Sequence, residues 1–105
     1  MAKNTPMPNQ REAIILSILV RGEKYGREVR TDYETRTKQA MPLGSLYVTL
    51  DRMEEKGFVA SRMGESDPGR GGNRRKYFKL TASGFASLNA VQQMFSVPRR
   101  GMANV

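Results

Sequence analysis

The chain alternates apolar and polar positions with two periods, and the switch between them divides it. From about Asn9, residues Ile14, Ile15, Ile18 and Leu19 share one face at helical spacing. Asn9 stands where a cap belongs, Glu12 follows in capping-box position, and Gly22 ends the helix. Tyr25, Val29 and Tyr33 step by four and predict a second helix from about Tyr25 to Arg36. After a short polar connection comes MPLGSLYVTLDRMEEKGFV, Met41 to Val59. Its apolar residues Leu43, Leu46, Tyr47, Leu50 and Met53 make one stripe, and Ser45, Val48, Thr49, Arg52 and Lys56 leave the opposite flank open. Pro42 sits at the first turn, which tolerates a missing N–H, and Gly57 is placed to end the helix with positive φ.

After Gly57 the period drops to two. Phe58, Ala60 and Arg62 alternate with Val59, Ser61 and Met63, which predicts a strand. GESDPGRGGN, residues 64–73, holds four glycines and one proline and reads as a long hairpin tip. RRKYFKL, Arg74 to Leu80, is the return strand. A last helix follows, with Thr81 or Ser83 as cap and Phe85, Leu88, Val91 and Phe95 recurring along one side, Met94 beside them. Such a stripe packs on its own domain or on a second copy. In so short a chain little of the domain is left to cover, which favours a dimer contact through Phe85, Leu88, Val91 and Phe95. The order predicts a mainly α fold with a small β-hairpin: a winged helix-turn-helix with a three-helix core, a wing and one C-terminal helix. The divisions are 1–8 as a flexible arm, 9–80 as the winged helix-turn-helix domain, 81–97 as a dimerisation helix and 98–105 as a flexible tail.

Composition narrows what such a fold can do. The 105 residues carry 18 Lys and Arg against 10 Asp and Glu, a net charge of +8. The surplus is densest behind the third helix, where Arg62, Arg70, Arg74, Arg75, Lys76 and Lys79 face only Glu65 and Asp67. A basic surplus of this kind favours a polyanion, most often nucleic acid. Cysteine and histidine are absent, and Glu54 and Glu55 are adjacent and diverge on a helix. No nucleophile–base pair or metal cluster can be assembled, so no enzyme activity, metal or cofactor is expected. The Gly-rich tip lacks the strand-to-helix context and Gly-Lys-Ser/Thr ending of a phosphate loop. Without a membrane-length apolar run or signal peptide, the expected compartment is the cytoplasm.

On this reading Ser45, Thr49 and Arg52 meet base edges in the major groove of double-stranded DNA. Tyr47 is divided between core stripe and a phosphate contact. The wing residues Arg70, Asn73, Arg74, Arg75 and Lys76 reach phosphates or the minor groove. Lys24 and Arg27, near the start of the second helix, are placed to meet the backbone or simply to be solvated. Two other classes stand beside this one: a winged helix serving only as a protein-interaction module, and an RNA-binding protein, which would want exposed aromatics on a sheet.

The runs GEKYGREV, LGSLYVTLDRMEEKGFV and RRKYFKLTASG, in this order across a glycine-rich gap, resemble the PadR-like transcriptional regulators. The resemblance covers about Ile14 to Leu88. It implies sequence-specific DNA binding as a homodimer, usually to repress transcription, with a role for Ser45, Tyr47, Thr49 and the basic wing. The chain departs from many relatives at Val48, where they carry proline, and at Arg27, where they carry an aromatic residue. Its C-terminal part matches the short members. A small-molecule effector would therefore have to bind at the dimer interface, and nothing in the sequence calls for one.

Overall fold

A computed structural model describes residues 7–66 and 68–103, with side chains given to residue 95 except that of Arg70. The expected arm therefore lies mostly outside the described residues, and so do the side chains of Arg99 and Arg100. The elements are α1 (Gln10–Leu19), β1 (Lys24–Tyr25), α2 (Gly26–Thr37), α3 (Leu43–Glu55), β2 (Val59–Ser66), a 3₁₀ turn (Pro68–Arg70), β3 (Arg74–Leu80) and α4 (Ala82–Ala103).

Local chemistry accounts for the helix ends. The Asn9 side chain accepts from the Glu12 N–H at 2.8 Å, and the Glu12 carboxylate accepts from the Asn9 N–H at 2.9 Å, the reciprocal box expected from the sequence. Pro42 caps α3, and Gly57 behind it takes φ +83, in the left-handed region where a side chain is strained. The stripe Leu46, Leu50 and Met53 is wholly buried among Ile15, Leu16, Ile18, Val29, Phe58 and Phe78. α3 is thereby fixed against α1, α2 and the sheet in one rotational setting.

Three strands form the sheet, in the order β1-β3-β2, all neighbours antiparallel. β3 spans the expected residues. β2 continues to Ser66, three residues into the stretch read as the tip, with an irregularity between Met63 and Ser66. β1 was not foreseen. It is only two residues long, pairing Lys24 with Phe78 and Tyr25 with Tyr77, and two residues are too few for an alternation to show.

α4 runs through residues 98–103, which the sequence reading gave to a frayed tail. Its first turn lies hard against the chain before β2: a Cβ on Gly84 would strike the Phe58 carbonyl. Leu88 is only 4% exposed and belongs to the core of its own domain. That corrects its assignment to a dimer contact, because the length of α4 next to α1 buries Leu88 before a second copy is needed.

Candidate nucleic-acid interface

With one line of α3 sunk in the core, the other is left bare. Gly44, Ser45, Val48, Asp51, Arg52 and Glu55 are exposed, and Thr49 is half-buried at the margin. The Thr49 hydroxyl donates to the Ser45 carbonyl at 3.0 Å, so its proton is spent on the helix, and its oxygen, as an acceptor, and its methyl remain to offer. Arg52 and Thr49 share a shallow groove with Gln10 and Arg11 at the start of α1.

Lys56 leaves the flank on which its spacing placed it. Its ammonium sits 2.8 Å from the carboxylate of Glu12, a side chain only 2% exposed. Glu12 thus closes the α1 cap with one oxygen and holds the end of α3 with the other. Glu54 is also occupied, accepting from the Ser61 hydroxyl at 2.8 Å, rather than pointing to solvent.

Tyr47 is resolved on the core side. It is half-buried, its ring 6.4 Å from that of Phe78, and its hydroxyl lies where a Cβ on buried Gly26 would have to go. The glycine at the start of α2 is therefore a seat for Tyr47, and the pair sets the distance between α2 and α3.

The wing residues divide. Asn73 and Arg74 are exposed near the tip, and the Arg74 Nε donates across the hairpin to the Gly64 carbonyl at 2.8 Å. Arg70 belongs to the 3₁₀ turn, with its side chain outside the described ones. Arg75 and Lys76 are half-buried along the strand. Arg75 lies 4.5 Å over the Tyr25 ring and Lys76 5.6 Å over that of Phe78.

On the outer sheet face these contacts join into a row. Arg62 stacks 4.8 Å over Tyr77, Tyr77 meets Tyr25 edge-on at 5.7 Å, and Arg75 covers Tyr25. Glu23 closes the row with two hydrogen bonds of 2.7 Å from Arg62. Those bonds hold the Glu23 carboxyl below its ordinary range and raise the Arg62 guanidinium above its own. Gly64 makes room, since a Cβ there would come within 2.6 Å of the Tyr77 ring. Glu23 and the stacking role of Arg62 escape the sequence reading, because Glu23 meets Arg62 only across 39 positions and the Arg62–Tyr77 register shows only in the folded hairpin.

Lys24 and Arg27 sit at the foot of α2. The Lys24 ammonium is half-buried, 3.8 Å from the Asp32 carboxylate, while Arg27 is exposed. α1 and α4 enclose an apolar groove of about 670 Å³ between Ala13 and Ile14 on one wall and Val91 and Phe95 on the other. Phe85, Met94 and Phe95 are 49, 62 and 76% exposed. Among the described residues no helix is long and apolar enough to cross a membrane.

A three-helix core with a basic hairpin behind its third helix defines a winged helix-turn-helix. The match to the model of the transcriptional regulator PadR-like family, over residues 15–90, takes the assignment further: the chain belongs to that family. Solved structures agree. A protein of Thermoplasma acidophilum described as a transcriptional regulator is 28% identical, with a TM-score of 0.74 over 90% of this chain and 87% of its own. A PadR family transcription regulator of Clostridium difficile is 29% identical, with a TM-score of 0.69 over 90% and 95%. Bacillus subtilis PadR, solved in complex with operator DNA, is 21% identical and shares the fold, with a TM-score of 0.69 over 80% of this chain and 47% of its own.

Proposed function

We propose that this chain binds double-stranded DNA in a sequence-dependent manner as a homodimer and acts on transcription as a repressor. The observation that carries the reading is α3: its apolar line is locked into the core, and Gly44, Ser45, Val48 and Arg52 stand clear on its outer side, with a basic hairpin following in the chain. Ser45 and Arg52 meet base edges, Arg52 being suited to a bidentate guanine contact. Arg74 and Asn73 at the tip, with Arg70, reach the flanking backbone. Arg27 adds a phosphate contact from the start of α2, with Lys24 behind it.

The second copy joins through the exposed end of α4 and the groove it forms with α1. Phe85, Val91 and Phe95 supply the apolar surface, which a lone chain would leave in water. Two copies related by a two-fold axis call for a pseudo-palindromic operator with half-sites about one turn, roughly 10 base pairs, apart. Nothing favours the RNA alternative. The two rings on the sheet's outer face, Tyr25 and Tyr77, are each covered by a guanidinium and are closed to base stacking.

The test is selection of bound duplexes from a random pool. A recovered palindrome supports both specificity and dimer geometry, an asymmetric site removes the dimer, and a pool that stays random removes the whole reading.

A further inference from the structure

The residue placed deepest in the proposed contact is one that charge and hydrogen-bonding chemistry pass over. At about 100° per residue, Val48 lies within roughly 20° of the line diametrically opposite Leu46, Leu50 and Met53, whereas Arg52 is about 50° and Ser45 about 70° off it. Val48 is 52% exposed. A single exposed valine is commonplace on a protein surface, so exposure alone argues nothing. Its position and its neighbour do.

One turn before Val48, on the same line, stands Gly44. A Cβ on Gly44 would meet nothing within 4 Å, and no positive φ calls for glycine there. In the first turn of α3 a glycine has more backbone freedom to lose on folding than alanine would. Neither packing nor backbone conformation explains it, and close approach of the helix backbone to another surface does. Further along the same side come Asp51 and Glu55, both exposed, which a polyanion repels. The N-terminal half of α3 therefore comes closest, with Gly44 allowing the approach and Val48 at the bottom, and Arg52 reaches in from the flank. The methyl of Thr49, its hydroxyl turned back to Ser45, extends the apolar spot.

The apolar feature that a base pair offers on the floor of the major groove is the 5-methyl group of thymine. We propose that Val48 reads a thymine methyl in each half-site, so that the preferred DNA carries a fixed thymine opposite the middle of the outward face of α3. The proposal rests on α3 being the DNA-reading helix and adds what that helix selects.

The experiment uses the full chain and duplexes recovered by selection, with each thymine in turn replaced by deoxyuridine, which removes the methyl and leaves pairing intact. The wild type should lose roughly fourfold in affinity at one thymine per half-site, the value of about one buried methyl group. Val48→Ala should bind the unmodified duplex more weakly by a similar factor and be indifferent to that replacement, while thermal melting shows it folded. If no single replacement costs the wild type more than it costs Val48→Ala, or if both lose equally everywhere, Val48 does not read the methyl. If the wild type recovers no preferred duplex, α3 is not a DNA-reading helix and the underlying proposal fails first.

Discussion

Two surfaces of this molecule are rich in the residues that contact nucleic acid, and they are built in opposite ways. Along the outer face of the sheet two cations have mates: Arg62 has Glu23 and Tyr77, and Arg75 has Tyr25. Along the outward face of the first half of α3 the side chains are short, exposed and, at Gly44, absent, with Arg52 reaching out further along. The first surface spends its charge on holding three strands at a fixed angle to α2. The second is held from behind and leaves its front open. Counting basic residues therefore misjudges both, because availability depends on what already neutralises a charge.

The comparison breaks hardest if the support behind α3 is removed. Lys56→Ala leaves the buried Glu12 side chain without its cation, its other oxygen still accepting from the Asn9 N–H. Loss of a charge partner at a buried site costs about 1–3 kcal/mol, at the lower end here because Lys56 itself is 34% exposed. A lower midpoint in urea unfolding is the expected readout, and an unchanged midpoint would show that Glu12 is served by the cap alone. Gly44→Ala tests the open side. It should leave the fold intact, or steady it by up to about 1 kcal/mol through helix propensity. Affinity for selected duplexes should fall by roughly tenfold, about 1.4 kcal/mol. Stability gained together with unchanged affinity would mean that the front of α3 approaches nothing closely.

The wing sharpens the same contrast at smaller scale. Arg74→Ala, at the exposed end of β3, should reduce the slope of log affinity against log salt by about one. Arg75→Ala should leave that slope nearly unchanged and cost the fold about 0.5–1 kcal/mol, the usual worth of a guanidinium over a ring. Equal slopes for the two variants would mean that Arg75 leaves Tyr25 to meet a phosphate in the complex.

How far the sequence carried the fold can be judged residue by residue. The Asn9–Glu12 box, Pro42, Gly57 and the Arg74–Leu80 strand were legible because each depends on neighbours within a few positions. The stripe of α3 was legible because burial imposes its period. What could not be read depends on distance along the chain. Lys56 finds Glu12 across 44 positions and Arg62 finds Glu23 across 39. Tyr47 packs against Gly26, and that glycine reads as a helix start until its neighbour in space is known. Leu88 looked like an interface residue because the stripe of α4 has one period whether it faces α1 or a second copy. At the candidate site the open flank of α3 was visible in advance, but the place of Val48 on it emerged only when the buried line fixed the rotation of the helix.

The smallest expected effect lies at the end of the sheet row. Glu23 has its carboxyl pKa below 4.5, first because Arg62 donates to it and then through the nearby charges of Arg62 and Lys79, with burial opposing. A carboxyl with a depressed folded pKa adds stability that is fully present above its unfolded value and is lost as pH falls through the folded one. The wild type should therefore lose part of its margin over Glu23→Gln as pH is lowered from neutral to below 4.5. Thermal melts at a series of pH values give this difference directly. Because the pair is exposed, solvent screens it, and added salt should shrink the difference further. A margin that stays constant with pH would mean that Arg62 is held by Tyr77 alone, leaving the outer sheet face as a stack of rings and guanidiniums without an ionic anchor.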